Sequence, residues 1–419
     1  ASRLVMTVWV VCTGEVLPID PGRQRLLRAG TLCSALRKQG HDVVWWTSTF
    51  NHTTKRHRFP RSTVVTTGEG VQLRALHGCA YNANVSLLRL KNHYDIGKRF
   101  RREAQRESVP GVILCAWPTI ELGLECVRYG GMHGVPVVLD VRDLWPDVFL
   151  DAAPRPLRPV ARIALDPYFR ATRKAFSECS GIVGISEDYL KWGLRNAGRE
   201  RTDNDAVFEL GYQEPAASES EIENGKEDLR RLGVDETRTV CWFLGTFGDT
   251  YDLQPVLDCA HALKTSGNST LQIVLSGDGD RRKYWEGVAG GLDNVIFTGW
   301  LSGPRIASMM RLARVGIAAY RKGAPQGLPN KLFEYMAGGL PIVSSLGREC
   351  RRFLEVNRCG VSHTPGDAGS LLDALLALAT DENRRLRLGA NALRAFKSRY
   401  SASVLYPRLV GHLERIAAG

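Results

Sequence analysis

The chain has 419 residues, with 56 basic and 44 acidic side chains for a net charge of +12, and 44% of its residues are hydrophobic. That length gives room for two ordinary domains, and that composition excludes a disordered or low-complexity chain. The positive balance favours an anionic partner, whether nucleotide, nucleic acid or acidic membrane surface.

The ten cysteines form no C-x-x-C pair, which argues for a reducing cytoplasm and against a disulfide frame or zinc site. The apolar run 4–11, rich in β-branched residues, reads as a buried parallel strand and is too short to span a membrane; no transmembrane segment is expected. A loop carrying Glu15 follows. A helix from Arg23 to Gly40 and a second strand at 41–47 then complete a Rossmann-type opening without G-x-G-x-x-G. Tyr81 and Asn84 lead into a helix with Arg89, Lys98, Arg99, Arg101 and Arg102, capped by Asn84 or Ser86; its basic face reads as solvated.

Strands follow at 111–116 and 137–140, the second running into Arg142, Asp143 and Asp147. Carboxylates and an arginine at a strand's carboxyl end mark a site in an α/β sheet. Asp140 suits the task of holding Arg142, and Asp143 that of touching an acceptor hydroxyl. Residues 155–176 mix Arg and Lys with Leu157, Val160, Ile163 and Phe169, the pattern of a basic amphipathic segment on an anionic membrane, interrupted by Pro156, Pro159 and Pro167. After a strand at 181–185, Ser186 caps the next helix. Residues 199–237 turn polar and contain the linker.

The strand pattern restarts at 239–244 and runs into Gly245 and Thr246, whose loop lets a backbone approach a diphosphate. Further strands at 271–276 and 294–301 lead to Gly277 and Gly279, and to Trp300 and Leu301. The spacing of Asp278 and Asp280 would suit a divalent ion, but turn geometry explains it better. The stretch 327–343 reads as loop, helix, turn and strand. Pro329 opens the helix, Leu332, Phe333 and Met336 bury one face, and Gly338 with Gly339 ends it. Its amino end is a ready anion site, Lys331 adds a full charge there, and Glu334 one turn on suits the two hydroxyls of a ribose.

This stretch resembles the donor-binding motif of the GT-B glycosyltransferases of family four, two carboxylates seven residues apart. Glu334 matches the second, and Gln326 stands in place of the first. The Pro-Asn-Lys-Leu-Phe-Glu-Tyr form is similar to a branch that builds bacterial surface polysaccharides, including N-acetylfucosamine-type transferases. Arg142 stands where family members often carry histidine, and Asp143 matches the aspartate after it. The resemblance implies an α/β GT-B protein: two Rossmann-like doubly wound domains facing a cleft, with the last helices crossing back to the first. We place the acceptor domain at 1–210, a linker region at 211–238, the donor domain at 239–395 and a returning helix at 396–419.

It further implies a retaining transferase with a nucleotide sugar, UDP-linked, as co-substrate, and no metal or other cofactor. The donor would be held by Gly245, Thr246, Gly277, Gly279, Trp300, Leu301, Leu328, Asn330, Lys331 and Glu334. Lys331, Gln326 and Asp143 would carry the chemistry, with Lys322, Arg281 or Arg282 helping at the phosphates. A saccharide or polyprenyl-linked acceptor would meet Glu15, Tyr81, Asn84, Arg142 and Asp143. The expected place is the cytoplasm, peripheral to the inner face of the plasma membrane. A nucleotide-sugar epimerase is the rival enzyme. A nucleic-acid binder fits less well, since the basic residues are spread through both halves and the aromatics sit in apolar runs, so no nucleic acid is expected as a partner.

Overall fold

The computed structural model describes residues 5–22, 25–83 and 86–419. The chain forms two compact units, Ala1–Glu209 with Leu405–Gly419, and Leu210–Val404. The strands of the first are β1 (Thr7–Val11), β2 (Asp42–Ser48), β3 (Phe50–Asn51), β4 (Arg56–His57), β5 (Thr63–Thr66), β6 (Gln72–Leu76), β7 (Val112–Trp117), β8 (Val137–Val141), β9 (Gly181–Gly184) and β10 (Ala206–Val207). Those of the second are β11 (Thr239–Leu244), β12 (Leu271–Ser276), β13 (Val295–Gly299), β14 (Val315–Ala318), β15 (Ile342–Ser344) and β16 (Gly360–Ser362).

The first unit holds an eight-stranded sheet in the order β10-β9-β8-β7-β1-β2-β6-β5, parallel except where β5 meets β6, and a separate hairpin of β3 and β4. The second unit's sheet is fully parallel in the order β13-β12-β11-β14-β15-β16, the doubly wound arrangement of a Rossmann fold. Its central strands are buried on both faces, as continuous apolar runs require. In each sheet the strand order reverses at one place, between β1 and β7 and between β11 and β14. Ligand crevices of open α/β sheets lie outside such switch points.

Several elements differ from expectation. The first helix spans Arg28–Lys38 and does not begin near Arg23, which lies outside the described residues. Leu27 at its N-cap offers no side-chain bond; the Glu15 carboxylate takes the free Ala29 N–H instead, at 3.0 and 3.1 Å. Ser186 holds an N-cap position without a side-chain bond to the helix, whereas Ser86 accepts from Arg89 N–H at 3.2 Å. The polar stretch 211–238 contains a helix, Glu219–Arg231, opened by a capping box of Ser218 and Glu221. Its Ile222 and Leu229 are buried, and Arg305 pairs with its Asp228 at 2.7 Å. Phe396 and Tyr400 lie in the second unit's core, and the chain joins the first unit from Leu405.

Candidate functional site

In the second unit the loop after β14 leads to the helix Asn330–Ala337, seven of whose residues are buried. Tyr335 fixes it at the switch point: its hydroxyl donates to Ile317 O on β14 (2.8 Å) and accepts from Leu244 N–H at the end of β11 (2.9 Å). This holds Lys331 (4% exposed) and Glu334 (6% exposed) at the strand ends. The Lys331 ammonium makes no hydrogen bond. It stands 3.9 Å from the ring centroids of Phe243 and Tyr251 and 5.1 Å from that of Tyr320, against three π faces. Burial pulls its pKa well below the usual lysine value, with Glu334 acting the other way.

The glycines are set by space as much as by any ligand. A Cβ on Gly245 would come 2.9 Å from Lys331 Nζ, so only glycine leaves the ammonium its place. Gly277 (φ +142°) and Gly279 (φ +155°) let the β12 loop lie flat on the β11 loop, where a Cβ on Gly277 would sit 1.8 Å from Gly245 O. Backbone bonds zip the two loops: Gly245 N–H to Ser276 O at 3.0 Å and Phe247 N–H to Asp278 O at 2.9 Å. Gly277 N–H also donates to Gly299 O (2.9 Å), bringing the β13 end alongside.

The other donor candidates are dispersed in character. Thr246 and Asn330 are exposed, Leu301 and Leu328 are buried, and Trp300 is 71% exposed. Gln326 is half-buried, with an Oε1 that has no protein partner. Arg281 lies over the Tyr284 and Trp285 rings and reaches Asp249 at 3.6 Å; Arg282 pairs with Glu286 (2.8 Å) and Asp278 (3.6 Å); Lys322 is exposed. The Asp278 carboxylate accepts from Gly279 N–H at 2.8 Å, a local turn bond. Among the described residues no group of three or more His, Cys, Asp or Glu is arranged to hold a metal ion.

In the first unit a cavity of about 290 Å³ opens at the β1/β7 switch point. Glu15, Tyr81, Arg142 and Asp143 all line it; Asn84 lies outside the described residues. Beneath it runs a buried ion network. Asp140 takes two bonds from Arg28 (2.9 and 3.0 Å) and one from Arg142 Nε (2.7 Å), and Arg142 also pairs with Glu15. Burial pushes the Asp140 carboxyl up, but the two guanidinium groups outweigh it and hold it below the usual range. Glu15 and Arg142 are thus committed to one another, though Arg142 Nη2 is buried without a protein partner. Asp147 accepts from Trp192 Nε1 at 2.9 Å. Of the three carboxylates after β8, Asp143 is therefore the one lining the cavity. It accepts from Leu144 N–H (2.8 Å) and Trp145 Nε1 (3.1 Å), and burial raises its pKa.

Sequence reasoning missed the aromatic enclosure of Lys331, the Arg28–Asp140 pair, and His52 and His93 in the cavity wall. It placed Arg89 on a solvated face, yet Arg89 is half-buried, lines the cavity and lies 4.8 Å over the Trp145 ring, whereas Lys98, Arg101 and Arg102 are exposed.

Residues 238–381 match the family model described as glycosyl transferases group 1. The chain is 31% identical over 150 residues to the phosphatidyl-myo-inositol mannosyltransferase of Mycobacterium leprae, covering 35% of this chain and 38% of that relative's length. Among solved structures it resembles the sucrose-phosphate synthase from Thermosynechococcus elongatus (TM-score 0.73, 14% identity, 99% of this chain and 100% of that one). It also resembles Anabaena HepE in complex with UDP (TM-score 0.67, 13% identity, 98% and 99%). The fold is GT-B over the whole chain.

Proposed function

We propose that the chain is a retaining glycosyltransferase that binds a UDP-linked sugar on its second unit and a saccharide or polyprenyl-linked acceptor on its first. The carrying observation is Lys331, a buried ammonium with no hydrogen bond, at the amino end of a helix beside two glycine-bearing loops. A cation held ready without a counter-oxygen suits a leaving diphosphate, and such stabilisation of developing charge is worth roughly 2.7–4 kcal/mol per donor. Glu334 holds the ribose, Gln326 faces the sugar, and Asp143 meets the acceptor hydroxyl. The diphosphate is neutralised by Lys331 and backbone N–H groups, without a metal. The family match over 238–381 and the UDP complex of HepE support the donor class. The transferred group is a hexosyl or N-acetylhexosaminyl unit, in the manner of the surface-polysaccharide branch.

No helix among the described residues is long and apolar enough to cross a membrane. We place the protein at the inner face of the plasma membrane as a peripheral protein. The support is the helix Arg158–Ala164 and the turn before it, none of whose residues is buried. They present Leu157, Val160 and Ile163 (76% exposed) among Arg155, Arg158 and Arg162.

The test of the donor assignment is thermal unfolding with UDP, GDP, ADP and buffer, repeated for Glu334→Ala. A nucleotide at 100 times its dissociation constant stabilises by about 2.7 kcal/mol, roughly 5–10 °C for a unit of this size. A shift with UDP that Glu334→Ala abolishes is the expected result. No shift with any nucleotide would remove the assignment.

A further inference from the structure

The charges around the first-unit cavity do not cancel evenly. Arg28 and Arg142 are balanced by Asp140 and Glu15, and Glu15 also caps a helix. Arg89 remains as a cation in the cavity wall, with Lys55 nearby over the Tyr81 ring at 5.1 Å. Asp143 is the single carboxylate left to answer them, and its oxygens already accept from Leu144 N–H and Trp145 Nε1. The cavity's unsatisfied polar atoms belong to side chains able to donate. His93 (5% exposed) and Thr119 (6% exposed) both line it, and Nδ1 of the first and Oγ1 of the second are buried without a protein partner. Arg142 Nη2 is a third buried donor without one.

A pocket built for neutral sugar hydroxyls needs acceptors as well as donors, because each hydroxyl does both. An oxyanion only accepts, and guanidinium bonds to it are the strong, charge-assisted kind. The field points the same way. Burial, with Lys55 and Arg89 adding to it, holds His52 down at about 4; burial, then Arg89 and His52, hold His93 down at about 3. Both rings therefore remain neutral donor–acceptors in a positive surrounding that an anion would relieve.

We infer that this cavity receives an anionic group carried by the acceptor, a phosphoryl or a carboxylate, against Arg89, His93 and Thr119. The inference rests on the proposed function for the word acceptor, but the anion site can be tested without it. The full chain, saturated with UDP to fill the donor site, is titrated calorimetrically with glycerol 1-phosphate, glucuronate and methyl glucoside. The titrations are repeated for Arg89→Gln and Thr119→Val, and UDP binding is measured separately for each variant. At least one anion should bind, methyl glucoside should bind at least tenfold more weakly, and Arg89→Gln should weaken the anion tenfold or more with the UDP response unchanged. Preference for glycerol 1-phosphate assigns a phosphoryl group, and preference for glucuronate a carboxylate. Three results would overturn the inference: methyl glucoside binding as tightly as the anions, anion affinity unchanged in Arg89→Gln, or binding of UDP without either anion. Arg89-dependent anion binding in a protein that ignores UDP would uphold the anion site and remove the proposed function.

Discussion

Replacing Lys331 by methionine separates what the residue does for the fold from what it does for a ligand. The thioether keeps the four-atom reach and the contact with Phe243, Tyr251 and Tyr320. Sulfur–aromatic contacts are worth about 0.3–1.5 kcal/mol each, close to the roughly 0.5–2 kcal/mol that a cation gains over a ring. Those terms nearly cancel. What does not cancel is the buried nitrogen without a hydrogen bond, which costs about 1–3 kcal/mol. Lys331→Met should therefore stabilise the ligand-free protein by about 1–3 kcal/mol. At 2–4 °C per kcal/mol for 150–250 residues, that is roughly 3–8 °C in the second unit's melting temperature.

The pH dependence carries a sign. Burial lowers the folded pKa of Lys331, and the unfolded chain keeps the ordinary value near 10.4. Between the two, the unfolded state holds one more proton, so wild-type stability gains up to about 1.4 kcal/mol per pH unit as pH rises. The advantage of Lys331→Met should then shrink toward alkaline pH, while UDP no longer stabilises the variant. Urea unfolding from pH 6 to pH 10, with and without UDP, reads all three effects. A variant less stable than wild type at every pH, with the same pH slope, would show that the aromatic enclosure is a net favourable cation site and refute the reasoning.

Asp140→Ala leaves Arg28 and Arg142 buried without their shared carboxylate, and should cost about 3–5 kcal/mol in urea unfolding of the first unit. In the wild type this contribution is present above the unfolded aspartate pKa of about 3.9 and is lost as pH falls through the lower folded value; a flat acid limb would contradict it. Gly277→Ala forces a Cβ into Gly245 O and should cost at least about 1–3 kcal/mol. It should also abolish the UDP shift, and a normal UDP response would show that the two loops do not form the donor floor. Ile163→Glu should change stability by less than about 0.5 kcal/mol yet reduce sedimentation with anionic vesicles severalfold; unchanged sedimentation would discard the membrane face.

The alternation of strand and helix was legible because parallel strands buried on both faces, such as β11 and β12, read as unbroken apolar runs. The helix Asn330–Ala337 was legible because its cap, apolar spacing and glycine stop lie next to one another in the sequence. The helix Glu219–Arg231 was not, since three buried residues, Ile222, Gly225 and Leu229, are outnumbered by charges that solvent would accept equally well in a linker. The enclosure of Lys331 was not legible either. Phe243, Tyr251 and Tyr320 are ordinary aromatics in their own segments and converge only because β11 and β14 are neighbours in the sheet. The same holds for Arg28 and Asp140, which are far apart in sequence and meet across the ends of two elements. Arg89 was misassigned because a helix's basic residues look alike until packing turns one of them inward.

The first unit borrows its last piece from the far side of the second. Leu405, Leu409, Val410, Leu413 and Ile416 are buried, His41 meets Glu414 at 3.0 Å, and His412 reaches Asn204 O at 3.1 Å. On a ribosome adding about 5–20 residues per second, the unit begun first is therefore the unit finished last. Its eight-stranded sheet must wait, with part of its apolar surface uncovered, while the whole of the other unit is made and folds. A chaperone that shields nascent chains would find its longest-lived client surface on the half of this protein that emerges earliest.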